Sequence, residues 1–155
     1  MSTIKHEVWI DAPQKVVYEL LSSAEAISTW WDKQTRKQTP EGIVLEHSPG
    51  PEHGVVKFLV LVNEPFSLVK WRCISEHPAN TPASEWKDTE MVFEIGGRES
   101  SDVAADSWAS EAPAQTVIKF QHTGWPNPSK YLAFCNKAWA DVLNSLKEKA
   151  VENAS

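Results

Sequence analysis

Few side chains in this 155-residue sequence could do chemistry, and His122 stands first among them. It falls in the run Thr116-Val117-Ile118-Lys119-Phe120-Gln121-His122-Thr123, whose alternation places it on one face with Ile118 and Phe120. An imidazole among apolar neighbours could hydrogen-bond a ligand carbonyl or hydroxyl, or serve as general acid or base near neutral pH. It could equally be a structural histidine satisfied by a backbone carbonyl or a neighbouring hydroxyl, the usual fate of buried polar groups. Both readings stay open, and no other residue is a catalytic candidate. Cys73 and Cys135 fall in a strand and in the apolar stripe of a helix, where a free thiol behaves as a small hydrophobe. No feature of the sequence sets either beside His122, as a nucleophile requires. His47 and His53 flank a loop containing Pro and Gly and make a poor metal pair. No HExxH, CxxC, phosphate-cradling glycine loop or GxSxG elbow occurs. No metal and no cofactor are expected.

The aromatic residues offer contact area instead. The chain holds eight tryptophans, each a large apolar body with one N–H donor. Periodicity puts Trp71, Met91, Phe93, Phe120, Phe134 and Trp139 on the inward faces of their elements, while Trp30, Trp31 and Trp125 lie at element ends. Read functionally, the first group joins His122 in lining a pocket for a small apolar or aromatic molecule, and the second forms its mouth. Read structurally, the first is packed core and the second a plug over the open end of a sheet.

Those residues need elements to hold them. Residues 4–10 alternate as a strand, and Pro13 suits the first turn of a helix capped by Asp11 or Ala12. Ser22-Ser23-Ala24-Glu25 reads as a capping box for a second short helix, with Ser22 as cap and Glu25 answering it. Residues 32–40 are polar and read as loop, 43–47 as a weak strand, and 48–51 as a turn. Strands are predicted over 55–63, 67–76, 86–95 and 116–123, with 63–66 a turn and 77–82 a loop. Residues 96–114, which include Trp108, read as a long aperiodic loop. From Tyr131 to Leu146 apolar residues follow one helical stripe that includes Phe134, Cys135, Ala138, Trp139, Val142 and Leu143. Asn127-Pro128 is the predicted cap of that helix, and Lys147 and Lys149 suit its last turn.

Length and charge bound the function. The chain is long enough for one domain that buries roughly two thirds of its unfolded surface, here residues 1–150 with a tail at 151–155. A net charge of −6, with the 15 Lys and Arg dispersed, argues against nucleic acid. No apolar run approaches 18 residues and no leader is evident, so a cytoplasmic protein without a membrane span is expected.

Several stretches in this order carry a likeness. Ile10-Asp11-Ala12-Pro13 is followed by Val16 and Tyr18, then by Trp30-Trp31. Glu85-Trp86-Lys87-Asp88-Thr89 precedes Val92-Phe93, and Thr116-Val117-Ile118 leads to His122-Thr123-Gly124-Trp125. Cys135, Trp139 and Leu143 to Leu146 close the series. The chain thereby resembles the START-like (SRPBCC) superfamily. Within it, the likeness is to the family named for the C-terminal domain of the activator of Hsp90 ATPase, grouped with polyketide cyclase-like proteins. The resemblance implies an α+β helix-grip fold: a curved antiparallel sheet around a long C-terminal helix, with two short helices after the first strand. It also implies a hydrophobic cavity between sheet and helix, with no shared catalytic triad or metal site. The sequence departs from the family at 98–114, which is longer than the usual tight turn. The leading expectation is a non-enzymatic protein that binds a small apolar ligand. The alternatives are a cyclase- or hydrolase-like enzyme using His122 as acid or base, and a chaperone-associated interaction module. A protein partner or homodimer stays open.

Overall fold

Alternating apolar residues make the strands of a single antiparallel sheet in the computed structural model, which describes residues 2–50, 54–98 and 114–155. The strands are β1 (Ser2–Ile10), β2 (Thr35–Thr39), β3 (Gly42–His47), β4 (Val56–Glu64), β5 (Leu68–Cys73), β6 (Glu90–Arg98) and β7 (Gln115–Trp125). They lie in the order β1-β7-β6-β5-β4-β3-β2. Helices α1 (Gln14–Leu21) and α2 (Ala24–Ile27) follow β1, and the long α3 (Leu132–Ala154) closes the chain across the sheet. This is the helix-grip architecture. Its core forms where Val69, Trp71 and Cys73 of β5, Met91, Phe93 and Ile95 of β6, and Ile118, Phe120 and His122 of β7 turn inward. Cys135, Trp139, Leu143, Leu146 and Ala150 of α3 pack against them. Each fully buried large side chain contributes about 1.5–3 kcal/mol, so this seam carries much of the stability.

Several boundaries differ from the sequence reading, each for a local reason. The predicted loop at 32–40 contains β2, an edge strand paired to β3. Solvent lies on both its faces, so no alternation marks it. Ser23 caps α2, accepting from Ala26 N–H at 3.1 Å, while the expected cap Ser22 ends α1 and donates to the Glu19 carbonyl. Pro13 itself is the N-cap of α1, without a side-chain bond. The predicted strand at 86–95 begins only at Glu90, because Trp86 ends a short 3-10 helix (Pro82–Glu85) and the chain turns through Asp88 at φ 67. At its far end β6 runs on through Gly96 and Gly97 into the predicted loop. A Cβ at Gly97 would strike the Gln115 carbonyl oxygen on β7, so only glycine fits that close approach. Residues 99–113, including Trp108, lie outside the described residues. Helix α3 starts at Leu132, not beside Asn127-Pro128, and continues through Ala154, so the expected tail is largely helical and Lys147 and Lys149 precede its last turn.

Candidate functional site

The inward face of β7 delivers His122 to a place with no solvent exposure at all. Trp139 of α3 donates its indole N–H to His122 Nδ1 at 3.0 Å. That bond fixes the tautomer: Nε2 carries the proton and donates to Thr89 Oγ1 at 2.8 Å, and Thr89 donates onward to the Trp86 carbonyl. A single directional chain therefore ties helix, sheet and the turn before β6. Burial holds the His122 pKa down to about 3, so the ring is neutral at physiological pH. Both nitrogens are engaged within the protein.

The open space lies beside this chain, not around it. A cavity of about 230 Å³ sits where the first turns of α3 cross the end of the sheet. Phe134, Cys135, Ala138, Trp139 and Val142 form its helix wall, spaced so that one face of α3 meets it. The 3-10 segment supplies Pro82, Ala83 and Trp86, and the sheet end supplies His47, Pro49 and Val56. Trp31 and Asp32, beyond α2, complete the lining. Behind the walls the rings support one another. Trp31 lies 5.3 Å from Trp139 and stacks at 6.0 Å on Phe58, while Trp86 stacks at 6.1 Å on Phe58 and at 6.2 Å on Trp139.

Polar groups in the lining are few. His47 is 5% exposed and packs its ring against Trp31 and Phe58. Burial, and then the neighbouring His77, lower its pKa to about 4, so it too is neutral. Its Nδ1 has no hydrogen-bond partner. Trp86 Nε1 is buried and has no hydrogen bond of ordinary geometry, its polar contact being the Cys135 sulfur, whose thiolate it favours. Burial dominates at Cys135 and pushes the thiol up to about 11, so it is no nucleophile at neutral pH. Asp32 is exposed at the rim. Among the described residues no group of three or more His, Cys, Asp or Glu could hold a metal ion.

The 3-10 wall is latched to the helix by Glu85. Its carboxylate accepts from the Ser129 hydroxyl at 2.8 Å, Lys130 N–H at 3.0 Å and Tyr131 N–H at 2.9 Å, and Ser129 Oγ accepts from Leu132 N–H. Glu85 thus satisfies the free donors ahead of α3 from another part of the chain, where a negative charge also suits the helix dipole. Partial burial pushes its pKa up, but the three hydrogen bonds outweigh that and hold it below the usual carboxylate value. Glu85→Ala is expected to destabilise the protein by about 1–2 kcal/mol, read as a lower urea midpoint at unchanged slope. An unchanged midpoint would mean that the carboxylate does not hold the helix start.

Of the residues singled out from sequence, Trp31, Phe134 and Trp139 line the cavity. Phe134 is 60% exposed and stands at its mouth instead of in the core. Trp71, Met91, Phe93 and Phe120 are packed interior, and Trp30 is buried with its indole donating to the Leu20 carbonyl at 2.7 Å. Trp125 is buried against the His122 ring at 4.9 Å. His47, Pro82, Ala83 and Trp86 were not expected as lining. Only Trp86 left a signal, as part of the Glu85-to-Thr89 stretch that carried the family likeness.

Solved structures share this architecture. The Aha1 dimer from Colwellia psychrerythraea matches with a TM-score of 0.69 and 25% identity, over 97% of this chain and 96% of that one. Protein MLL2253 from Mesorhizobium loti gives a TM-score of 0.72 at 15% identity over 99% of each chain. CalU16 from Micromonospora echinospora gives 0.63 at 14% identity, over 94% of this chain and 71% of that one. At such identities the last two speak for the fold alone. No protein-family model and no curated protein sequence matches the chain. No helix among the described residues is long and apolar enough to cross a membrane.

Proposed function

From the premise that the chain shares the helix-grip fold of these solved structures, we propose that it holds a compact apolar or aromatic molecule beneath the start of α3. The observation that carries this reading is the cavity itself, walled by Trp31, Trp86 and Trp139 and bordered by the exposed ring of Phe134. An apolar hollow of this size is a ready site for a ring, since an empty cavity of about 150 Å³ lined by apolar side chains is enough to take up benzene. A binding role fits better than acid–base catalysis by His122. That ring is not among the lining residues, and both its nitrogens are engaged.

Filling the hollow tests the reading. Ala138 is half-buried on the helix wall, so Ala138→Trp projects an indole into the space without disturbing the Trp139–His122 pair. Naphthalene titrated into the wild-type protein, followed by NMR, is expected to perturb the lining residues saturably, and Ala138→Trp is expected to weaken that binding at least tenfold. Native mass spectrometry of freshly purified protein should reveal any small molecule carried through purification. Equal binding by the filled variant would remove the cavity from the function.

A further inference from the structure

We propose that the free edge of β1 is a dimer interface, at which two copies of the chain pair β1 against β1 in antiparallel fashion about a two-fold axis at His6. The surface is separate from the cavity and independent of what the cavity holds. β1 ends the sheet and, among the described residues, pairs with β7 alone. Alternate N–H and C=O groups along its other side therefore meet no strand, which makes that side a template for one. There is room for it to lie there. Consecutive residues His6 to Trp9, from both faces of β1, line one groove that Ala140, Leu143, Asn144 and Lys147 of α3 border. On the outward face the Trp9 ring is 54% exposed, a surface that a neighbouring strand covers.

The charges of the strand specify the neighbour. Lys5 and Glu7 share its exposed face, and among the described residues neither enters an ion pair. Lys119 stands opposite Glu7 on β7 without reaching salt-bridge distance, and Glu7 instead accepts from the Trp9 indole at 2.9 Å. Residues directly opposite in an antiparallel pair point to the same face, so a second β1 must be centred on a residue and not between two. Centred on His6, Lys5 of each copy meets the partner's Glu7, twice by symmetry, while Ile4 meets the partner's Val8 on the inward face. Centred on Lys5 or on Glu7, a like charge meets itself, and centred elsewhere no opposite charges within β1 meet. The other edge of the sheet is guarded. β2 runs Thr35-Arg36-Lys37-Gln38-Thr39, with two cations and no acid, so no self-pairing answers its charges. Pairing of β1 with β1 is isologous and closes at two copies.

Sedimentation velocity on the whole chain is expected to show a species of twice the chain mass that grows with concentration from micromolar to submillimolar. Lys5→Glu and Glu7→Lys, both at exposed positions, each set like charges against one another across the axis. Each should weaken self-association at least tenfold while the circular dichroism of the fold is unchanged, and Lys5→Glu does so without touching the Trp9 contact. Mixing the two variants in equal amounts sets acid against base again and should restore association to within threefold of wild type. The double exchange Lys5→Glu/Glu7→Lys within one chain should do the same. A chain that stays monomeric throughout, association indifferent to both single substitutions, or a loss that neither mixing nor the double exchange restores would overturn the interface. Growth beyond two copies would overturn it as well, since it signals β1 paired with β2 in an open chain. Neither Lys5 nor Glu7 lines the cavity, so naphthalene binding should stay within threefold of wild type in every variant and reports on the ligand-holding reading separately.

Discussion

Trp139→Ala is expected to destabilise the fold by about 3–5 kcal/mol, the range for removing a large aromatic side chain from a packed interior. Trp139 is only 2% exposed and lies 4.5 Å from Phe120, while its indole holds His122 Nδ1. Truncation therefore opens a void and also strands a buried imidazole nitrogen, two penalties that arise at the same point. Trp139→Phe separates them. It keeps most of the ring volume and loses only the donor, so a smaller cost of about 1–2 kcal/mol should remain. Urea unfolding at pH 7 measures both. A loss under 1 kcal/mol for the alanine variant would mean that this ring is not structural, and a cost-free phenylalanine would mean that the hydrogen bond to His122 contributes nothing.

Acid should weaken the fold well above the range where carboxylates titrate. His122 and His47 are held neutral in the folded state, with pKa values of about 3 and about 4, against an ordinary value of 6.5. The unfolded chain takes up their protons below pH 6.5 and the folded chain does not. The stability they contribute is therefore complete above 6.5 and falls as the pH drops, until about 4 for His47 and about 3 for His122. Each such group costs about 1.4 kcal/mol per pH unit across its window, so the pair should remove about 3–4 kcal/mol between pH 7 and pH 5. Glu85 acts with the same sign at lower pH, because its depressed pKa makes its contribution present above the usual carboxylate range and lost below it. Urea midpoints at pH 7, 6 and 5 test this, and His47→Phe should roughly halve the slope. A midpoint unchanged between pH 7 and pH 5 would show that the folded protein accepts these protons freely.

His122 illustrates how far sequence reasoning reaches. Two-residue alternation placed it on the inward face with Ile118 and Phe120, and that is where it lies. Its partners were beyond reach, because Thr89 and Trp139 come to it across strand pairing and helix packing, neither of which leaves a periodic trace. The apolar stripe of α3 was readable for the same reason as the strand. Phe134 belongs to that stripe yet remains exposed, because at the start of the helix the stripe meets open space instead of sheet. The opposite failure is β2, a true strand whose polar side chains on both faces leave nothing to alternate. The cavity was the least legible part. Pro82, Ala83, Trp86 and Pro49 lie outside strands and α-helices, where spacing carries no information about which way a side chain points.

The walls of the hollow come from stretches of chain near residues 31, 47, 56, 82–86 and 134–142, brought together only when sheet, 3-10 turn and terminal helix have all docked. Occupancy and folding are consequently one thermodynamic system: a guest that requires the assembled walls has nothing to grip on an opened chain. At a hundred times its dissociation constant such a guest deepens the native basin by about 2.7 kcal/mol. A guest held there would in this way tie the stability of its host to its own concentration.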